Sequence, residues 1–213
     1  HVLLGSRDRD RGEKAARELA RDGSVEHVLL DVTDAESIEA TRSYIASKFG
    51  RLDVLVNNAG ILLDEAGKAP SQQSLTTWRK TFDTNLFGLV AVTNALLPLI
   101  RESGAGRIVN VSSLLASIAE HADPRSQIYD FKLPAYNVSK TAVNAWTVHL
   151  AYELRDTRVK VNAVHPGHVA TDMAGPDAPL KPEEGARTSV RLALLGPDGP
   201  SGAFYHEREA LRW

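Results

Sequence analysis

Residues 52–60 read LDVLVNNAG, a short apolar run that ends in two asparagines, an alanine and a glycine. A run of this length before a turn-forming sequence predicts a buried β-strand over 52–56. Ala59 and Gly60 carry a methyl group or no side chain, so the backbone there can approach a flat ligand closely. An ordinary turn is the alternative interpretation. The stretch therefore predicts a strand followed by either a ligand-binding loop or a simple turn.

Similar strand-like runs alternate with amphipathic stretches along the rest of the chain. The other strand-like runs are 2–4, 25–30, 108–111, 159–164 and, more weakly, 203–205. Helical patterns cover 10–20, 34–49, 75–102, 136–156 and 182–195. Strands and helices that alternate at this spacing predict an α/β fold in which helices cover both faces of a parallel sheet.

The ends of one helix and the positions of three loops can also be predicted. Thr33 followed by Glu36 has the spacing of a capping box, and Gly50 is the residue type that ends a helix. The long irregular segments 63–74, 114–135 and 166–182 each follow a predicted strand. Because ligands of open α/β sheets bind beyond the carboxyl ends of strands, we expect these segments to form the walls of a site.

Length and composition limit the classes of protein. With 213 residues, of which 43% are apolar, we expect one domain spanning 1–213. A formal net charge of −2 attracts neither nucleic acid nor an anionic membrane, which leaves small molecules or protein subunits as partners. There are no cysteines, so disulfides and thiolate chemistry are excluded. No apolar run approaches the roughly 20 residues of a membrane span, and we expect a cytoplasmic protein.

Tyr136 and Lys140 are four residues apart in a helical pattern and therefore share one helix face. A phenol has a pKa of about 10, and a neighbouring ammonium lowers that pKa because it favours the phenolate. The pair thus predicts a tuned general acid. A surface pair without function is the alternative interpretation.

Further polar residues occur at the ends of other strands. Ser113 closes the strand over 108–111, and Pro166, Gly167 and Thr171 follow the strand over 159–164. Asn85 interrupts a helical pattern, where it contributes little helix propensity and is either a cap or a functional group. Because the strands are parallel, we expect these positions to meet above one edge of the sheet.

In this order the residues resemble the signature of the short-chain dehydrogenase/reductase family, and the resemblance spans essentially the whole chain. The matching positions are Asp31, Asn57 to Gly60, Asn85, Ser113, Tyr136 with Lys140, and Pro166, Gly167 and Thr171. The subgroup that looks closest is the carbonyl reductases, judged by Arg7, Arg11, the runs 171–176 and 182–186, and Trp213. The resemblance implies a doubly wound, Rossmann-like parallel sheet.

The resemblance also implies a reaction, in which a hydride passes from the nicotinamide of NADPH to a carbonyl carbon. Tyr136 would donate a proton to the carbonyl oxygen, Ser113 would stabilise the alkoxide, and Lys140 would lower the pKa of Tyr136 and hold the nicotinamide ribose. Asn85 would hold a water molecule that returns a proton to Tyr136 by way of Lys140. The residues implied at the cofactor are Asp31, Val32, Asn58, Ala59, Gly60, Tyr136, Lys140, Pro166, Gly167, Val169 and Thr171.

The choice of cofactor depends on the end of the strand over 2–4. An acidic residue there binds a ribose hydroxyl, whereas arginine accommodates a 2′-phosphate. Arg7 occupies this place and Arg11 lies one helical turn further on, so we predict NADP. The alternative is a solvated, charge-balanced helix start, which Asp8 and Asp10 favour.

One part of the family pattern has no match. The family begins with a strand, a glycine-rich turn and a helix that bind the cofactor pyrophosphate, and residues 1–5 match the second family strand. Without the first strand, the strands at Val2 and Leu52 would leave backbone groups unpaired. We therefore expect a truncated or partly given chain. The alternative function is that of a catalytically inactive family member that acts as a binding or interaction protein.

The remaining features leave substrate and assembly open. The distance from Ser113 to Tyr136 exceeds the spacing common in the family, and the inserted residues, which include Tyr129 and Phe131, either shape a substrate pocket or form an inert loop. Aldehydes, ketones and quinones are all possible substrates.

The protein is expected to be a monomer or a homo-oligomer through the helices at 75–102 and 136–156. His165 and His168 lack further ligands apart from Asp172, so we predict no metal site.

Overall fold

The computed structural model describes all 213 residues as alternating strands and helices. The strands are β1 (Val2–Ser6), β2 (Val25–Leu29), β3 (Val54–Asn57), β4 (Arg107–Val111), β5 (Lys160–Val164), β6 (Phe204–His206) and β7 (Glu209–Ala210). The α-helices are α1 (Arg9–Leu19), α2 (Ala35–Phe49), α3 (Leu75–Phe82), α4 (Leu89–Glu102), α5 (Ile118–Ala122), α6 (Pro134–Glu153) and α7 (Pro182–Ala193). Short 3-10 turns occur at Pro70–Gln72 and Leu114–Ala116.

The strands form two separate hydrogen-bonded sheets. One contains β1 and β2, and the other has the order β3-β4-β5-β6-β7. All pairs are parallel except the last, in which β7 returns antiparallel to β6. As the sequence predicts, β1 and β3 each have one edge without a partner strand. A cleft of about 1080 Å³ separates these two edges.

Helices cover both faces of the larger sheet, which confirms the doubly wound architecture. Successive residues of a strand point to opposite faces. In β4, Ile108 packs in a large core with side chains of α2, α4 and α6, whereas Val109 packs against Leu192 of α7. Nearly all of β4 is buried, as expected for a central parallel strand.

The end of α2 agrees with its sequence pattern, but the start does not. Gly50 ends the helix with a φ of 70°, a conformation that glycine adopts without strain. Asp34, rather than Thr33, is the N-terminal cap, because its side chain accepts a hydrogen bond from the Glu36 N–H. The Thr33 hydroxyl donates instead to Asp31, at 2.7 Å. The predicted capping box is therefore wrong by one residue.

The helix predicted over 75–102 is interrupted by a π-helical turn, Asp83–Gly88, between α3 and α4. By length and composition the stretch Leu75–Glu102 is apolar enough to cross a membrane, although charged residues interrupt it and it contains no unbroken apolar run of that length. Half of its most apolar window is buried, and Val92, Leu96 and Ile100 belong to the main core. The core thus accounts for these apolar side chains. The short elements α5 and β7 had no recognisable sequence pattern.

Candidate active site

Buried polar side chains join the carboxyl ends of β3 and β4. Asn57, the last residue of β3, lies opposite Asn110 of β4. The Asn57 amide donates to Asn110 Oδ1 and to the Thr93 hydroxyl, each at 2.9 Å. The Asn110 amide in turn donates to the Thr147 hydroxyl of α6, also at 2.9 Å. These bonds tie β3, β4, α4 and α6 together, so the loops that follow the strands stand on a rigid base.

Tyr136 lies in the first turn of α6 with its ring almost fully buried. Burial raises the pKa of Tyr136, because the phenolate is poorly solvated there, and a hydrogen bond with the Ser113 side chain acts in the opposite direction. The Lys140 ammonium lies 5.9 Å from the centre of the Tyr136 ring. The lowering of the Tyr136 pKa predicted from Lys140 is therefore not found in this structure, where desolvation dominates.

Lys140 is a buried cation. Its Nζ donates to the carbonyl oxygen of Val111, at the end of β4, at 2.7 Å. Burial lowers the pKa of Lys140 to about 8. A Cβ built on Gly60 would lie 3.3 Å from this Nζ and 3.6 Å from Asn85 Oδ1. Gly60 thus keeps the space between the two side chains open, and the backbone after β3 passes directly beside them.

Asn85 is fully buried in the π-helical turn, a type of irregularity that is frequent at functional sites. Its Oδ1 accepts from the Ile61 N–H at 2.8 Å, and its Nδ2 donates to the Ile61 carbonyl at 2.9 Å. The same Nδ2 donates to the Ser139 hydroxyl at 3.0 Å, and that hydroxyl donates to the Tyr136 carbonyl at 2.7 Å. Asn85 therefore links the loop after β3 to α6.

The cleft between β1 and β3 is lined by many of the residues expected at a cofactor. Its walls include Arg7, Asp31, Val32, Asn58, Ala59 and Gly60. Hydrogen bonds from Thr33 hold the pKa of Asp31 below its usual value, and the positive charge of Arg7 adds a smaller effect. Arg11 does not line the cleft and pairs with Asp8 at 3.6 Å. The interpretation as a solvated helix start thus suits Arg11, whereas Arg7 reaches the site.

The loop after β5 lies at the same edge of the sheet but outside the cleft lining. Gly167 has a φ of 89°, and a Cβ on it would lie 2.4 Å from the Leu180 side chain. Val169 forms a bridge with Leu180, and the Thr171 hydroxyl donates to the Val169 carbonyl at 3.3 Å. Pro166, Gly167, Val169 and Thr171 are therefore not among the residues that line the cleft between β1 and β3, as Tyr136 and Lys140 also are not.

The inserted segment 114–135 is tied down at several points. The hydroxyl of Ser117 and the N–H of Ala119 both donate to the carbonyl of Trp213, at 3.2 Å and 3.1 Å. The Asn137 amide of α6 donates to the Phe131 carbonyl at 2.9 Å, yet Phe131 as a residue is 59% exposed. The segment is therefore an ordered wall beside α6 that presents an apolar ring to solvent.

Together these residues can bind a flat ligand and move a proton. Lys140 and Asn85 lie beside the backbone at Gly60, where the missing Cβ leaves a cradle between them, and Tyr136, one turn before Lys140 on α6, is hydrogen-bonded with Ser113. The cleft is large enough for a dinucleotide. No group of three or more potential metal ligands occurs in the structure. Sequence reasoning missed Ser139, which bonds to Asn85, and Asp64, which accepts from the Ala135 and Tyr136 N–H groups, since these partners lie far away along the chain.

The chain is similar to known proteins along its whole length. A family model described as short chain dehydrogenase matches residues 1–180. "Carbonyl reductase [NADPH] 1" of Pongo abelii is 37% identical over 250 residues, covering 100% of this chain and 88% of that protein. "Short-chain dehydrogenase/reductase 1" of Saponaria officinalis is 33% identical, with coverages of 98% and 86%. The structure of carbonyl reductase Sniffer of D. melanogaster superposes with a TM-score of 0.84 at 28% identity, covering 100% of this chain and 88% of that one.

Proposed function

The chain belongs to the short-chain dehydrogenase/reductase family and its carbonyl reductase subgroup, and we propose that it reduces an aldehyde, a ketone or a quinone with NADPH. One observation carries the proposal: the buried Tyr136 is hydrogen-bonded with Ser113, and Lys140, one turn further along α6, lies with Asn85 beside the backbone at Gly60. We further propose that residues 1–213 form one domain, which both binds the cofactor and holds the reacting groups.

Tyr136 is the proposed proton donor. Bound NADPH supplies the hydride that reduces the carbonyl carbon. Because burial raises the pKa of Tyr136, the phenol is protonated at neutral pH and can donate to the carbonyl oxygen as negative charge develops there. Ser113, whose hydroxyl is beside the phenol, orients the same oxygen and stabilises its charge.

Lys140 and Asn85 complete the proposed set. The Lys140 ammonium faces the loop backbone at Gly60, where it can hold a ribose hydroxyl and favour the phenolate left after proton transfer. The Asn85 side chain forms its hydrogen bonds with Ile61 and Ser139, so in this structure it holds the loop after β3 and α6 in place and does not face a ligand directly. Through these contacts, we propose, Asn85 holds in place the residues along which a proton returns to Tyr136.

The cofactor residues are proposed from the cleft walls. Arg7 would bind the 2′-phosphate, Asp31 and Val32 would flank the adenine, and Asn58 to Gly60 would line the dinucleotide. Several relatives are named as NADPH-dependent carbonyl reductases, which supports the same choice. The loop with Pro166, Gly167, Val169 and Thr171 is proposed to contact the nicotinamide end. No residue of the cleft lining is assigned to the pyrophosphate.

The first test is NADPH consumption, followed by absorbance, with a panel of aldehydes, ketones and quinones. Tyr136→Phe keeps the ring and removes the hydroxyl, so we expect turnover to fall by at least about a hundredfold while NADPH still binds. Tyr152→Phe, on the exposed side of α6, is the matched control and should keep full activity. Equal rates for the protein and Tyr136→Phe would refute the role of the phenol.

The division of the sheet favours a second candidate function, that of a family member that does not catalyse the reaction. β1 and β3 do not pair, and the cleft between them is continuous with the proposed cofactor site. In that case the same panel would show no turnover with any carbonyl compound. Fluorescence titration with NADPH then separates a protein that binds the nucleotide from one that does not.

A further inference from the structure

The start of α6 lacks a cap from its own neighbourhood. Leu133, the residue before the helix, offers no side-chain hydrogen bond, and Pro134 at the first position has no N–H. The Asn137 N–H already bonds to the Leu133 carbonyl at 2.7 Å. Two backbone donors of the first turn therefore need a partner from elsewhere, those of Ala135 and Tyr136.

Asp64 satisfies both of these donors. Its Oδ1 accepts from the Ala135 N–H at 2.8 Å, and its Oδ2 accepts from the Tyr136 N–H at 2.9 Å. The carboxylate comes from the loop after β3, 71 positions before Ala135. A negative charge at this end of the helix also complements the helix dipole.

The loop that carries Asp64 is held on both sides. Asn85 binds both the N–H and the carbonyl of Ile61, three residues before Asp64. The buried Gln73 side chain binds Glu65, which directly follows Asp64, by accepting from its N–H at 3.0 Å and donating to its carbonyl at 2.9 Å. The backbone on either side of Asp64 is thus fixed, so the carboxylate is a rigid anchor for the helix.

We propose that Asp64 is a positioning residue, which sets the place of the Tyr136 side chain by holding the Tyr136 backbone N–H and that of its neighbour. This inference rests on the proposed function, in which Tyr136 donates the proton. Asp64 accepts a hydrogen bond from Tyr136 itself, so loss of this contact moves the phenol relative to Ser113. Lys140 lies one turn further along α6 and is displaced less. Small displacements of a reacting group lower the rate strongly without changing the binding of the rest of the ligand.

The kinetic test uses two variants and a matched control. Asp64→Ala removes both acceptors, and Asp64→Asn keeps one of the two oxygens. We expect kcat to fall by about tenfold to a hundredfold in Asp64→Ala and by less in Asp64→Asn, with KM for NADPH within about threefold of the unmodified protein. Asp34→Ala removes a carboxylate cap from α2 and should lower thermal stability but leave kcat unchanged. If Asp64→Ala lowers only stability, as Asp34→Ala does, the inference is wrong.

A second readout does not depend on activity. In native-state hydrogen exchange, we expect the amides of Ala135 and Tyr136 to exchange at least about tenfold faster in Asp64→Ala, while amides in the middle of α6 keep their protection. Unchanged exchange of both amides would overturn the inference. If the unmodified protein turns over no carbonyl compound, the proposed function fails, and this exchange result alone decides whether Asp64 holds the start of α6.

Discussion

Tyr136 and Lys140 are both buried, and burial moves their pKa values in opposite directions. It raises the pKa of the phenol and lowers that of the ammonium to about 8, because in each case the neutral form is favoured. The sequence predicted the two residues and their shared helix face. From the sequence, Lys140 was expected to lower the pKa of Tyr136, whereas burial, which only the tertiary structure sets, raises it.

These pKa shifts predict how the reduction depends on pH. Below pH 8 Lys140 carries its charge, and as pH rises through about 8 the charge is lost while Tyr136 is still protonated. The value of kcat/KM for carbonyl reduction, which reports the free enzyme, should therefore fall above pH 8. Lys140→Arg, which stays charged, should lack this alkaline limb whatever its residual rate. A profile of the unmodified protein that is flat to pH 10 would contradict the role of Lys140.

The sequence predicted Arg7 as the phosphate ligand and Arg11 as a second one, but the structure supports only Arg7. Arg7 lines the cleft, whereas Arg11 pairs with Asp8 outside it. Arg7→Asp should lower the preference for NADPH over NADH, measured as the ratio of kcat/KM values, by at least about tenfold, since a charge-assisted contact to phosphate is lost. Arg11→Asp serves as the control and should change the ratio much less. An Arg7→Asp protein that kept its NADPH preference would show that the phosphate binds elsewhere.

At the scale of elements, the π-helical turn between α3 and α4 shows how local irregularity serves the site. The sequence indicated that Asn85 suits a helix poorly, but not that the helix changes its winding there. In the turn, Asn85 reaches the Ile61 backbone and Ser139, while Gly88 lies against the Val32 backbone. The turn thus places the start of α4 against the loop after β2 and the loop after β3, both of which border the candidate site.

Gly88→Ala tests this close packing. A Cβ on Gly88 would lie 2.8 Å from both the carbonyl oxygen and a methyl group of Val32, so backbone has to move. We expect the free energy of unfolding, measured by urea denaturation, to fall by about 1 to 3 kcal/mol. Gly196→Ala places its Cβ in open space and should change stability by less than about 0.5 kcal/mol. Equal stabilities of the two variants would mean that the turn tolerates a side chain.

At the scale of the whole molecule, the fold consists of a well-buried sheet and a smaller one beside it. Strands β4 and β5 are mostly buried, whereas β1 and β2 are partly exposed along their length. The two parts are separated by the cleft, with no strand pairing across it. We therefore expect them to differ in local stability.

Native-state hydrogen exchange measures this difference. Amides of β1 and β2 should exchange through openings of lower free energy than amides of β4 and β5, since fewer buried contacts oppose their opening. Saturating NADPH should raise the protection of β1, whose residues line the cleft, more than that of β5. Equal protection in both sheets without ligand would indicate a single cooperative unit despite the cleft.

The sequence by itself determined the alternation of strands and helices, the doubly wound sheet, the family, and the candidate site residues from Asn57 at a strand end to Tyr136 and Lys140 on one helix face. These features depend on patterns that repeat within one strand or helix, and on residue spacing along the chain. Only the tertiary structure decided the bond from Asp64 to Tyr136, the separation of Arg7 from Arg11, and the directions of the pKa shifts. Each of these depends on burial and on contacts between residues distant in the sequence, which local patterns do not report.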